Sequence, residues 1–124
     1  MNAIVSYSGY NAVTPATPGH IFSVTYNPVT KTATWTQLDN DLGDIPVNDV
    51  QFDEKRGVLY ASTDFGVMKK RFKFKDGFKG NDEWRPAAPG MPAVDVPDLT
   101  ILPDQGVLLA ATHGFGVWTM KLQG

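Results

Sequence analysis

The sequence predicts an all-β protein made of repeated four-stranded antiparallel units, about two and a half of them in 124 residues. Three observations carry that prediction. The stretch VLYASTDFGV at 58–67 returns as VLLAATHGFGV at 107–117. Short runs rich in β-branched and aromatic residues are divided by turn glycines, Gly57, Gly66, Gly106 and Gly116. No 3.6-residue hydrophobic period is sustained over three turns, and nine prolines and twelve glycines would interrupt a helix if one began.

The repeat holds column by column. With Trp35 set against Trp84, the two copies run without a gap to Thr63 and Thr112. Val47/Val96, Asp49/Asp98, Gly57/Gly106, Val58/Val107, Leu59/Leu108 and Ala61/Ala110 are identical, and Leu42/Met91, Ile45/Val94, Val50/Leu99 and Phe52/Ile101 are conservative. One residue is inserted in the second copy before Phe65-Gly66-Val67 matches Phe115-Gly116-Val117. A period of 49 residues lies near those of β-propeller blades and far from those of short helical repeats.

Each element follows in chain order, with the strands of a unit named A to D. Residues 3–8, AIVSYS, stand where VLYAST stands later and read as a B strand; 20–26 is its C strand and 32–38 its D strand. The complete unit has A at 47–53, B at 57–63, C at 66–74 and D at 83–87. In RFKFK, residues 71–75, phenylalanines alternate with basic residues, the period of a half-buried strand. The last unit has A at 96–102, B at 106–112 and C at 116–122. These divide the chain into a partial blade at 1–38, a full blade at 39–87 and a partial blade at 88–124, together a single partial propeller.

Composition bounds the partners. A hydrophobic share of 42% with 19% charged residues is that of a globular chain rather than a disordered one. No apolar run approaches the roughly 20 residues that span a bilayer, so no membrane partner is expected. MNAIVSYSGY lacks the basic region and long apolar core of a signal peptide. Without cysteine, disulfides and thiolate metal sites are excluded. A net charge of −2 argues against a dedicated nucleic-acid binder.

The order GVLYASTDFGV, strand, Trp84, a proline-containing loop and another strand resembles the β-propellers of sialidase-type, or Asp-box (BNR), repeats. That family includes sialidases, xyloglucanase-like glycosidases and sortilin-like luminal domains. ATHGFGVWTMKL is similar to the end of a final blade in its bacterial members. The family's Asp-box, roughly Ser-x-Asp-x-Gly-x-x-Trp between strands C and D, is decayed in both copies. The first runs from Ser23 through Asn27 to Trp35 with no aspartate or glycine; the second keeps Asp76, Gly77 and Trp84 but is stretched. Each tryptophan is expected to pack between neighbouring blades.

The resemblance implies that the B–C and D–A connections share one ligand-binding face, in segments 9–19, 38–46, 64–66 with 113–116, and 87–95. Candidate ligand-binding residues there are Tyr10, Asn11, His20, Asp44, Asp64, Phe65, His113 and Phe115, with Tyr7 beside them. Tyr7, Tyr10, Asn11 and His20 have the chemistry of a sugar site, although the 9–19 loop also reads as a proline-rich cover for a blade edge. Asp64 and His113 occupy the same turn in the two copies and would make an acid–base pair if they faced each other; alternatively both cap turns in water. Asp39, Asp41 and Asp44 present alternating oxygens without the spacing of a calcium loop, and read as a solvated turn. Asp49 and Asp98 read as satisfying the same backbone in each unit. KKRFKFKDGFK, 69–79, holds six of the eleven basic residues; a strand with phenylalanines in and cations out explains it, with the acidic 39–54 stretch of the adjacent blade as a partner. No metal or cofactor is expected.

These readings favour a non-catalytic propeller module that binds a protein or glycan, or forms a structural part of a larger propeller. The alternative is the C-terminal portion of a propeller glycoside hydrolase. Sialidases of the family use an arginine cluster, whereas Arg56, Arg71 and Arg85 fall in an A–B turn and on strands C and D. The absence of cysteine fits a cytosolic and a secreted setting equally, and the resemblance favours the secreted one. Open sheet edges and flanks, with Ile4, Phe22, Leu108 and Trp118 expected on them, imply self-association or packing against another propeller segment.

Overall fold

The computed structural model describes residues 2–13, 15–72 and 82–122. Among them there is no helix. Ten strands form three antiparallel sheets. The first sheet is β1 (Asn2–Ser6), β2 (Ile21–Asn27) and β3 (Thr32–Gln37), in that order. The second is β4 (Val47–Asp53), β5 (Val58–Thr63), β6 (Gly66–Arg71) and the short β7 (Arg85–Pro86). The third is β8 (Asp98–Leu102), β9 (Val107–Ala111) and β10 (Val117–Lys121). Each strand pairs with its sequence neighbour, so every sheet is a simple meander.

The strands lie at the expected places because the turns leave little choice. Gly57 and Gly106 both have φ of +68°, a left-handed backbone that a side chain disfavours, and each closes a hairpin between the first two strands of its sheet. The carbonyls of the two glycines then accept matching bonds, from Phe72 and from Leu122, both at 2.8 Å. At the other end of the sheets the repeat is again exact in its bonding: Val47 N–H donates to the Tyr7 carbonyl, and Val96 N–H to that of Thr63, each at 3.0 Å. Tyr7 is therefore the counterpart of Thr63, and the first B strand is Asn2–Ser6 rather than the expected 3–8.

The sheets stack through two apolar layers. Ile21, Leu38, Leu42, Val47, Leu59 and Ala61 form the first layer with Phe72 and Trp84, between the first and second sheets. Val58, Tyr60, Val67, Val96, Leu99 and Leu108 form the second with Ala110 and Leu122, between the second and third. β5 is buried at all six positions because its alternate residues serve one layer each. Full burial of a side chain such as Leu59 or Leu108, both wholly inaccessible, contributes roughly 1.5–3 kcal/mol.

Three expectations need correction. Ile4 packs on the first layer, and Leu108 and Trp118 belong to the second, so of the four residues expected on open flanks only Phe22 lies outside both layers. Trp84 is buried at 7% exposure and donates its Nε1–H to the Leu38 carbonyl at 3.0 Å, whereas Trp35 is 51% exposed. The difference is the neighbour: a sheet covers Trp84, and among the described residues none covers Trp35. Lys70 points inward rather than to water and pairs with Asp41 at 2.9 Å, so its acidic partner comes from the 39–54 stretch of its own 39–87 unit rather than from an adjacent one. Phe74 and most of the 69–79 basic run lie outside the described residues.

Candidate functional site

One end of the stacked sheets is built from the strand connections 7–20, 38–46, 64–65, 87–97 and 112–116. Hydrogen bonds tie these segments to one another across the sheets. Asp44 is the first node. Its Oδ1 accepts the Asn11 backbone N–H at 2.8 Å and lies 2.9 Å from His20 Nε2. Asn11 in turn accepts the Gly19 N–H at 2.9 Å, closing the long loop on itself. The sequence-derived residues Asn11, His20 and Asp44 thus come together, from a loop of the first sheet and the segment leading to the second.

Asp39 completes this node. Its Oδ2 accepts the His20 N–H at 2.8 Å, and it is buried, as is His20. His20 Nδ1 and Asp39 Oδ1 are both enclosed and make no hydrogen bond. With the Asp44 carboxylate as acceptor, His20 Nε2 is the donor of the bond between them. The reading of 39–44 as a solvated turn therefore fails at Asp39. The three aspartates diverge: Asp39 to His20, Asp44 to Asn11 and His20, and Asp41 to Lys70 Nζ and the Trp84 N–H, at 2.9 and 2.8 Å. Burial pushes the Asp41 carboxyl up, but the bonds from Lys70 and Trp84 and the Lys70 charge together hold it below its ordinary value. Among the described residues no histidine and acidic groups gather as metal ligands.

Asn48 is the second node, and a β-bulge makes it. The β4–β5 register shifts between Val47 and Asp49, which leaves Asn48 as the extra residue and turns its side chain toward the rim. Asn48 Nδ2 donates to Asp64 Oδ1 at 3.2 Å and Asp95 Oδ1 at 2.9 Å, and lies 3.3 Å from the Val96 carbonyl. The Asp95 carbonyl accepts the His113 N–H at 2.9 Å. Asp64 and His113 are thus linked through Asn48 and Asp95, and the Asp64 carboxylate is turned to Asn48 rather than to the histidine. Asn48 and Asp95 escaped the sequence reading. The signal was there: both stand where the copies differ, opposite Pro97 and Pro46.

The connections at this end expose aromatic rings on every sheet: Tyr7 and Tyr10 on the first, Phe65 on the second and Phe115 on the third, at 43%, 44%, 56% and 58% exposure. Each comes from the connection between the second and third strands of the repeat, or its equivalent in the first sheet. A hydroxyl clamp sets both phenylalanines: Thr63 Oγ1 accepts the Phe65 N–H at 3.0 Å, and Thr112 Oγ1 the Phe115 N–H at 3.1 Å.

No protein-family model matches this chain, and searches of curated proteins and of solved structures return no significant match. The residues themselves therefore carry the functional argument. A separate concavity of about 330 Å³ opens on the first sheet, lined by Tyr7, Thr17, Phe22 and Trp35. Its rings meet edge to face, Tyr7 with Phe22 at 5.8 Å and Phe22 with Trp35 at 6.0 Å.

Proposed function

We propose that the chain is a partial β-propeller of sialidase-type repeats whose rim binds a protein or a glycan without chemistry of its own. The single observation that carries this reading is the exposure of aromatic rings in the connections of all three sheets at the same end, Tyr10 with Tyr7 near it, Phe65 and Phe115. Rings presented at successive positions on rigid turns offer stacking surfaces for sugar rings or for apolar side chains, at little cost in ordering. Asp44 and Asp64 serve in this reading as fixed acceptors that hold the rim. A glycoside hydrolase would instead use its carboxyls as an acid and a base or nucleophile at set separation.

The test is a two-dimensional amide NMR titration of the chain with neutral and acidic oligosaccharides and with a tyrosine- and leucine-rich peptide pool. Shifts confined to the Tyr10, Phe65 and Phe115 turns, lost on triple substitution to alanine, support the reading. Absence of any shift at those turns at about 1 mM ligand, a concentration that reveals even millimolar affinities, overturns it.

A further inference from the structure

The two apolar layers inside the chain are the same contact made twice. Call the face a sheet turns toward the following sheet its forward face, and the other its rear face. The forward face of the second sheet presents Val58, Tyr60 and Val67; the rear face of the third meets it with Leu99, Leu108, Ala110 and Trp118. One repeat earlier, the rear face of the second sheet presents Val50, Leu59, Ala61 and Met68, and the forward face of the first meets it with Ile4 and Ile21.

Register extends both patterns to the ends of the stack. Val5 pairs with Phe22 as Ala61 pairs with Met68, and Trp35 pairs with Val24 beside them. Ala3, Val5, Phe22, Val24 and Trp35 therefore make up the rear face of the first sheet. At the other end, Leu109 pairs with Thr119, and Val117 with Ala111. Val107, Leu109, Ala111 and Val117 occupy the forward face of the third sheet, at the columns of Val58, Tyr60, Ser62 and Val67. Among the described residues no sheet packs on either face, and only the 7–20 loop, through Tyr7 and Thr17, borders the rear one. Trp35 is 51% and Val117 66% exposed, and the concavity around Tyr7, Phe22 and Trp35 lies in the rear one.

These faces are the two unjoined halves of a contact the chain already makes twice. We propose that a second copy of this chain docks head to tail, its third-sheet forward face on the first-sheet rear face of the other. The occupant follows from complementarity by repetition: the donor columns that fill a rear face inside the chain are the columns exposed at the far end. The forward face sets Leu109 between Thr100 and Thr119, with the charged Asp98 and Lys121 only at its margins, and the rear face carries Gln37 beside Phe22. Such a contact is heterologous, so each copy keeps one free face and growth continues to a ring or a short stack. This inference is independent of any ligand at the rim, and its test does not involve one.

The test is sedimentation velocity and light scattering on the whole chain at about 100 µM, a concentration that populates contacts of micromolar affinity. The expected result is mass above 13.6 kDa that rises with concentration; a 13.6 kDa monomer throughout overturns the proposal. Trp35→Glu blocks the rear face and Val117→Glu the forward face, and both replace exposed side chains. Each variant alone is expected to associate at least about tenfold more weakly, and their mixture to restore a one-to-one dimer that grows no further. A mixture no larger than either variant alone, or variants that associate like the parent, overturns the head-to-tail contact. Val5→Glu and Leu109→Glu form a second pair with the same expectations.

Discussion

Asp49 Oδ2 accepts the backbone N–H of Leu99 at 3.0 Å, so a side chain of the second sheet holds the main chain of the third. Its Oδ1 accepts the Val50 N–H at 2.9 Å. The repeat-mate Asp98 lies beside it. Burial first, and then the hydrogen bond and charge of Asp98, hold the Asp49 carboxyl above its ordinary 3.8 despite the two backbone donors. An acid whose pKa is raised by folding favours the fold most when protonated. Its contribution falls as pH rises from 3.8 through the folded pKa. Asp98→Asn is expected to lower the Asp49 midpoint and to lessen that loss of stability, the part due to burial remaining. Carboxyl-detected NMR titration reads the first and urea unfolding at several pH values the second; an unmoved midpoint would contradict the pairing.

Asp41 has the opposite sign. Lys70 Nζ and the Trp84 N–H keep it charged, below 3.8, so its contribution is present above that value and is lost as pH falls through the folded pKa. Asp41→Ala leaves the buried Lys70 ammonium and the Trp84 N–H without this acceptor. The expected cost is about 1–3 kcal/mol near neutral pH, from urea unfolding. The difference from the parent should shrink as pH falls below 3.8 and through the folded pKa, where the carboxylate loses its charge.

Gly57 and Gly106 share a φ of +68° but not their surroundings. A Cβ at Gly57 would sit 2.9 Å from the Phe72 carbonyl oxygen, whereas at Gly106 the nearest atom is the movable Arg56 guanidinium, 3.6 Å away. Both alanine substitutions incur the left-handed penalty of roughly 1–2 kcal/mol. Gly57→Ala is expected to cost distinctly more than Gly106→Ala, because a backbone carbonyl must also move. Thermal unfolding of the two variants side by side checks this; equal losses would show that the Phe72 strand end gives way freely.

The strand positions were legible because glycine turns and two-residue alternation are local. Val47, Gly57 and Val58 signal their roles within a few residues of themselves. Burial was not legible where it depended on a neighbouring sheet. Trp35 and Trp84 occupy one column of the repeat, yet only Trp84 is covered. Lys70 reads as a solvent-facing cation on an alternating strand, and becomes buried because Asp41 arrives from the preceding connection. On the rim, Asn11 and His20 could be grouped from their loop, while Asp44 read as part of a separate 39–44 turn, and the roles of Asp39 and Asn48 could not be read. Asp39 depends on the His20 backbone lying above it, and Asn48 on a bulge that shifts one register position.

The clamp at the turns of the second and third sheets has a consequence for how this scaffold tolerates change. Thr63 Oγ1 bonds the Gly66 carbonyl at 2.8 Å across two intervening residues, and Thr112 Oγ1 bonds the Gly116 carbonyl at 2.6 Å across three. The same hydroxyl closes turns of two lengths, and the strands on either side keep their pairing. The turn is thus a splice point, where added residues are absorbed outside the ladder. Peptides grafted between Asp64 and Phe65, or between His113 and Phe115, would be displayed on the rim with both anchoring hydroxyls in place.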